Sequence, residues 1–380
     1  MQNFTVGMDI SPLETHLKRK RGIGQSTLRL AREFLSSQLP FRLVFYSTGS
    51  QPLGRLLPRA EIRYVNDLRR LPDVLKLDRV DLFHFSDYFF PFYFPDQITG
   101  GRFSFLYTVI SAYDVIPFYF PGKRGRQIQT LSRNLLPVLK HVDAVRANSA
   151  DTKAGLVRLT GIDPARVEVI HHGLNHSLFH TGYPAGEIEA VRKLYGLNRG
   201  FILQVAAMDW RKNQITLLKA YKILVDEQHL PLDLVFAGGK PGREIIRFVQ
   251  DNNLEGRVKF LGLVPDQHLP LIYNAADIFA FPSYYEGFGN PPLEAMACGL
   301  PVVASNRGSL PEILGDCALY TDPASAAELA EAIWAVYSQL EIREDLVRRG
   351  LRHVSKFTWK NTVSGLIRLY LKVISGGRGN

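Results

Sequence analysis

Short apolar runs alternate along the whole chain with longer segments of helical period. Phe4–Ile10, Phe41–Tyr46, Val80–Phe85, Phe105–Ile110 and Ala144–Asn148 are strand-length runs rich in Val, Ile and Phe, the pattern of strands buried on both faces. Gln25–Ser37 instead gathers Leu28, Leu30, Ala31, Phe34 and Leu35 on one side and predicts a helix. The pattern restarts after residue 200, with strands predicted over Phe201–Ala206, Leu232–Ala237, Val258–Leu261, Ile278–Phe281 and Val302–Ala304. Helices are predicted over Gln214–Asp226 and Ala326–Leu340, the second opened by a Ser325/Glu328 capping box. Ser309 and Glu312 have the same spacing and predict another box. Strands separated by helical stretches make parallel sheets covered on both faces. The fold class is therefore α/β, with two doubly wound, Rossmann-like domains.

Gly and Pro punctuation (Gly182, Pro184, Gly186) marks Gly173–Gly200 as the linker, with a short helical insert over Ile188–Tyr195. The expected domains are 1–175 and 176–355. Residues 356–380, with an amphipathic stretch over Val363–Ile374, are expected to form a helix packing back on the first domain. A length of 380 residues suits two domains with full cores. Two cysteines, Cys298 and Cys317, are too few for a disulfide framework and read as inert core thiols of a cytoplasmic protein. Met1–Asp9 has no basic segment followed by an apolar one, so no leader is expected. The longest apolar stretch, Phe103–Phe120, is broken by Asp114 and Pro117 and does not predict a spanning helix.

Charge changes this picture in one respect. Residues 1–180 hold 24 Lys and Arg against 15 Asp and Glu, whereas residues 181–380 are nearly balanced at 22 against 21. A basic first half beside a neutral second half points to an anionic partner for the first: nucleic acid, an anionic membrane surface or a phosphorylated substrate. With no zinc-finger spacing or RNP-type motif, nucleic acid is not an expected partner.

The strongest chemical signal follows the predicted strand Ile278–Phe281. In Ser283-Tyr-Tyr-Glu286-Gly-Phe288-Gly289-Asn290-Pro-Pro-Leu-Glu294, glycines allow close backbone approach, Asn290 suits an N-cap and Pro291 the first helical turn. Amides near Phe288, Gly289 and Asn290 would then face an anion. Glu286 and Glu294 flank them as acceptors for sugar or ribose hydroxyls, or else as two exposed acids of a tight turn. Arg211 and Lys212 follow another predicted strand end and suit a diphosphate, or are a solvated basic pair. In the first half, Gly22-Ile-Gly24 leads into a helix after the first strand, a weak phosphate signal without a third glycine. The preceding Lys18–Arg21 run is a solvated loop or meets an anionic acceptor. His84 ends a strand, either as a hydrogen-bonded core residue or as part of an acceptor site. Eight of the twelve residues in Phe83–Phe94 are aromatic; they are core, or loop rings that stack on sugars or enter a membrane interface.

Taken together, Glu286-x7-Glu294, Arg211-Lys212-Asn213, Gly22-Ile-Gly24, His171–Phe179 and Ser305–Glu312 resemble a family 4 retaining glycosyltransferase of the GT-B fold, two Rossmann-like domains facing a cleft. The resemblance covers nearly the whole chain and is most specific in the second half. It implies that Glu286 holds the hydroxyls of the transferred sugar and Glu294 the nucleotide ribose. Arg211 and Lys212 would hold the diphosphate, helped by the Phe288 and Gly289 amides and by Gly22 and Gly24. Ser111-Ala-Tyr113-Asp114 stands where the family usually has His-Asp, so Tyr113 replaces a histidine placed against the donor sugar. The implied activity is hexosyl transfer from a UDP-glucose-like or GDP-mannose-like donor to a glycan or lipid-linked saccharide in polysaccharide assembly. It would need no metal and no cofactor beyond the nucleotide sugar. Peripheral contact with the anionic inner membrane face would account for the basic first half. The rival readings are a nucleotide-sugar epimerase or hydrolase of the same fold, and a catalytically silent partner of a transferase.

Overall fold

The computed structural model describes residues 4–14, 22–49, 52–87, 94–119 and 134–377. The chain divides into two units, residues 1–173 with 359–380 and residues 174–358. The expected boundaries at 175 and 355 therefore stand two and three residues from the observed ones.

The first unit holds a seven-stranded sheet of β1 (Thr5–Asp9), β2 (Arg42–Ser47), β3 (Ile62–Tyr64), β4 (Leu82–Phe85), β5 (Tyr107–Ala112), β6 (Ala144–Ala147) and β7 (Val167–Val169). Their order is β3-β2-β1-β4-β5-β6-β7, with every pairing parallel. The second unit holds β8 (Phe201–Val205), β9 (Asp233–Ala237), β10 (Val258–Gly262), β11 (Ile278–Phe281), β12 (Val302–Ser305) and β13 (Ala318–Thr321), ordered β10-β9-β8-β11-β12-β13 and again all parallel. In each sheet the strand order reverses beside the first strand, between β1 and β4 and between β8 and β11. Open α/β sheets bind ligands at such a switch point, outside the carboxyl ends of the strands.

Burial explains which elements the apolar pattern announces. Central strands such as β4, β9 and β11 are buried along their full length. The pattern does not announce β3, β7 and β13; β3 and β7 are edge strands of three residues, and β3 is largely exposed. β5 begins at Tyr107 rather than at Phe105, because Phe105 sits in the turn before it, 40% exposed. The helix Trp359–Ser375 belongs to the first unit, where the Tyr370 ring stacks on Phe34 at 6.3 Å and meets Phe41 edge-on at 5.9 Å. Both cysteines are buried, and burial pushes the Cys298 thiol up to about 12. Among the described residues, no helix is long and apolar enough to cross a membrane.

Candidate active site

The second unit assembles its site from the segments that follow β8 and β11. After β8 the chain makes a 3-10 turn over Trp210–Lys212, started by Asp209, whose carboxylate accepts from the Arg211 amide at 3.0 Å. The same carboxylate takes the Arg211 guanidinium as a fork, Nε to Oδ1 and Nη2 to Oδ2 at 3.1 Å each. Burial opposes ionisation of Asp209, but these bonds to Arg211 hold its carboxyl below the usual range. A guanidinium has five N–H groups, so this fork occupies two and leaves three for an anion.

Lys212 turns the other way. Its Nζ lies 2.5 Å from Glu286 Oε1 and 5.4 Å from the centre of the Phe281 ring. Both side chains are largely buried, 16% exposed for Lys212 and 10% for Glu286. The cation that follows β8 and the carboxylate that follows β11 thus form a direct ion pair. The Glu286 backbone is held from beneath: Ser309 Oγ lies 2.9 Å from the carbonyl oxygens of both Glu286 and Phe288, its one proton shared between them. Gly308, at φ +60°, packs so closely that a Cβ would stand 2.8 Å from the Glu286 carbonyl oxygen. That use of its hydroxyl overturns the capping box expected for Ser309 and Glu312, since Ser309 makes no side-chain cap to the helix Leu310–Leu314. Ser325 does cap its helix, accepting from the Glu328 amide at 3.2 Å.

The turn between Glu286 and Glu294 differs from expectation in one detail. Asn290 is not the N-cap but the first residue of the helix Asn290–Ala297; Gly289 precedes it at φ +105° without a side-chain cap. Only glycine adopts that backbone readily, and a Cβ there would come 2.7 Å from Leu310 Cδ2. Pro291 and Pro292 carry no N–H, so the donors this helix start can offer an anion are the amides of Gly289 and Asn290. Phe288 is buried, its ring edge-on to Phe357 at 6.0 Å, so its side chain is part of the core. Glu294 accepts from the Tyr273 hydroxyl at 3.0 Å, which orients its carboxylate. Burial and that carboxylate push the Tyr273 hydroxyl well above its ordinary range.

In the first unit the expected residues separate into two kinds. Gly22 and Gly24 are not a loop before the helix but lie in the first turn of Gly22–Ser36, Gly22 exposed and Gly24 buried. The Lys18–Arg21 run lies outside the described residues. His84 corrects the acceptor-site reading: it is fully buried, with Nδ1 2.5 Å from the Tyr370 hydroxyl and Nε2 2.9 Å from Ser111 Oγ. With both ring nitrogens engaged by the core, it has none to offer a substrate. Tyr113 stacks on His172 at 5.2 Å and lies 5.8 Å from the Arg146 guanidinium; burial raises its hydroxyl to about 12. Asp114 accepts from the Ile116 amide at 3.0 Å and so starts the short helix Ile116–Tyr119.

Sequence reasoning gave no role to Asp209 or Gln204, named Asn213 only as part of the Arg211-Lys212-Asn213 motif, and missed the clasping role of Ser309. Asp209 alone left a local signal, an acid two residues before the Arg-Lys pair. The others act across strands that only the fold brings together.

Two family models match the chain, Glycosyltransferase Family 4 over residues 21–178 and Glycosyl transferases group 1 over residues 187–353. O-antigen chain mannosyltransferase B of Escherichia coli is 32% identical over 256 residues, which is 67% of this chain and 66% of that protein. The serotype-specific mannosyltransferase WbdA, also from Escherichia coli, is 30% identical over 275 residues, 69% of this chain but only 33% of WbdA. The chain thus spans less than two thirds of these relatives' length. Among solved structures, Anabaena HepE in complex with UDP and glucose superimposes with a TM-score of 0.76 at 18% identity, over 99% of this chain and all of that one, a likeness of fold. Matched in both halves and built on the two expected Rossmann-like sheets, the chain belongs to the family 4 glycosyltransferases of the GT-B fold.

Proposed function

We propose that the protein transfers a hexose, with retention at the anomeric carbon, from a nucleotide-diphosphate sugar to a glycan or lipid-linked saccharide during polysaccharide assembly. The observation that carries this reading is the Lys212–Glu286 pair, placed at the switch point of the second sheet beside the uncapped helix start at Gly289. Departure of the nucleotide diphosphate leaves negative charge on its oxygens and positive charge on the sugar. Lys212, the free N–H groups of Arg211 and the amides at Gly289–Asn290 answer the first; they are in place before reaction and need no reorganisation. Glu286 accepts hydroxyl hydrogens of the sugar, and its carboxylate lies close enough to Lys212 to couple sugar position to diphosphate position. Glu294, farther along the helix and steadied by Tyr273, holds the ribose. Charge supplied in this way needs no metal ion. The mannosyltransferase relatives support GDP-mannose as the first donor to try, and UDP-glucose as the second.

Two substitutions separate these roles. Glu286→Gln is expected to keep affinity for the bare nucleoside diphosphate and lose transfer, whereas Glu294→Gln weakens the nucleotide itself. Calorimetric titration with GDP and UDP, beside turnover with the matching sugars, reads both. Equal effects of the two changes on nucleotide affinity would remove the assignment.

The basic first half supports peripheral contact with an anionic membrane that carries the acceptor. Each Lys or Arg near such a surface contributes about 1 kcal/mol, screened within a Debye length. The protein is expected to sediment with anionic liposomes at low salt and to leave them as salt rises. Neutralising Lys18–Arg21 should weaken that binding. A protein that stays in the supernatant at low ionic strength would direct the acceptor search to soluble sugars.

A further inference from the structure

We propose that Asn213, with Gln204 beneath it, is a positioning residue that fixes the Lys212 ammonium against the Glu286 carboxylate. Asn213 ends the 3-10 turn and opens the helix Gln214–Gln228 at φ 59°, ψ 42°, a left-handed conformation. An asparagine at that position commonly caps the following helix with its side chain. Here it makes no such bond. Its carboxamide is buried and Nδ2 donates twice, to the Pro282 carbonyl at 2.9 Å and to the Pro323 carbonyl at 2.6 Å.

Those carbonyls belong to the segments leaving β11 and β13, so one amide group ties the end of the cation-bearing turn to two strand ends. The two residues before it are tied as well. The Lys212 carbonyl accepts from Gln204 Nε2 at 2.8 Å, out of β8, and the Arg211 carbonyl accepts from the Tyr284 amide at 2.8 Å. Three successive residues are therefore pinned to the β8–β11 edge. Pro282 and Tyr284 lie in the same short segment as Glu286. Fixing the Lys212 backbone to that segment fixes the long lysine side chain relative to the carboxylate it meets.

The residue type is doubly constrained. The backbone demands a residue that tolerates positive φ, which favours Gly, Asn and Asp. The two carbonyls demand two N–H groups. Glycine meets the first demand and has no donor; aspartate meets it and sets an acceptor against two acceptors. Asparagine alone among these three meets both.

The test uses the full chain, and its kinetic arm alone rests on the proposed transfer reaction. Asn213→Gly keeps the left-handed backbone and removes the clamp. Turnover should fall on the order of 10²-fold, the effect of an ångström-scale misplacement, while the KM for the donor changes little. Asn213→Asp should lose at least as much. Thermal unfolding needs no substrate: the Tm loss caused by Asn213→Gly should shrink by about 2 °C when Glu286 is already glutamine, because the pair that the clamp serves is then broken. Strictly additive Tm losses, or an Asn213→Gly protein with the parent's kcat, would overturn the proposal. If Asn213→Gly does not fold, Gln204→Met, which removes only the bond to the Lys212 carbonyl, takes its place in the same cycle with the same deciding outcomes. Absence of transfer by the parent protein with either donor would count against the proposed function, and the unfolding cycle would still decide the clamp.

Discussion

Lys212→Met is expected to lower turnover by roughly 10²–10³-fold, the loss that follows removal of one preorganised donor from a site of developing charge. The same substitution should also destabilise the protein, because it leaves the Glu286 carboxylate, only 10% exposed, without the ammonium 2.5 Å away. The two effects have different causes and can be separated. Adding Glu286→Gln to Lys212→Met removes the uncompensated charge and should recover most of the lost Tm, while turnover stays low. Arg211→Ala is expected to act less severely on stability, since Asp209, its partner, is about a third exposed and water can take over the bonds. A Lys212→Met protein that keeps turnover within threefold of its parent would show that the lysine serves Glu286 alone and not the diphosphate.

The sequence makes the donor half of this site legible because its chemistry is local. Glu286, Gly289 and Glu294 lie within nine residues of one another behind a strongly apolar strand, and Arg211 and Lys212 are adjacent behind another. What remained hidden is how these residues are held. Ser309 has the spacing of a helix cap, yet its hydroxyl turns to the carbonyls of Glu286 and Phe288 and makes no cap to its own helix. Asn213 is similar: nothing in Lys212-Asn213-Gln214 announces carbonyls at Pro282 and Pro323, 69 and 110 residues away. The same limit applies to the fold. Central strands declare themselves because both faces are buried, whereas β3, with two of its three residues exposed, carries no apolar run to read. His84 marks the limit in the first unit. A histidine at a strand end fits a substrate site and a buried core equally well, and the partner that decides, Tyr370, stands 286 residues away.

The pairing of that histidine leads to an expected pH dependence of stability. Arg146 is 1% exposed; its Nε donates to the Ile170 carbonyl at 3.0 Å and its Nη2 lies 3.3 Å from His172 Nδ1. A guanidinium only donates, so His172 Nδ1 accepts and the ring is neutral. Burial, and then the same guanidinium, lowers His84 to about 3 and takes His172 well below its ordinary value. In the unfolded chain both rings take up protons near pH 6.5. Each histidine therefore contributes stability that is full above pH 6.5 and is lost as pH falls toward the folded value, at about 1.4 kcal/mol per pH unit. Asp9 works in the opposite direction. Burial, followed by the charge of Asp87, raises its carboxyl, so the folded state holds this proton where the unfolded chain has released it. Two histidines against one aspartate leave a net uptake of about one proton on unfolding between pH 6 and 5. The unfolding transition of the first unit should therefore weaken by roughly 1 kcal/mol over that unit of pH. His84→Gln removes one of the two opposing protons and should flatten the profile, whereas Asp9→Asn removes the compensation and should steepen it. Thermal unfolding from pH 7 to 5 measures all three proteins, and a parent profile that rises as the pH falls would refute the neutral, buried state of both histidines.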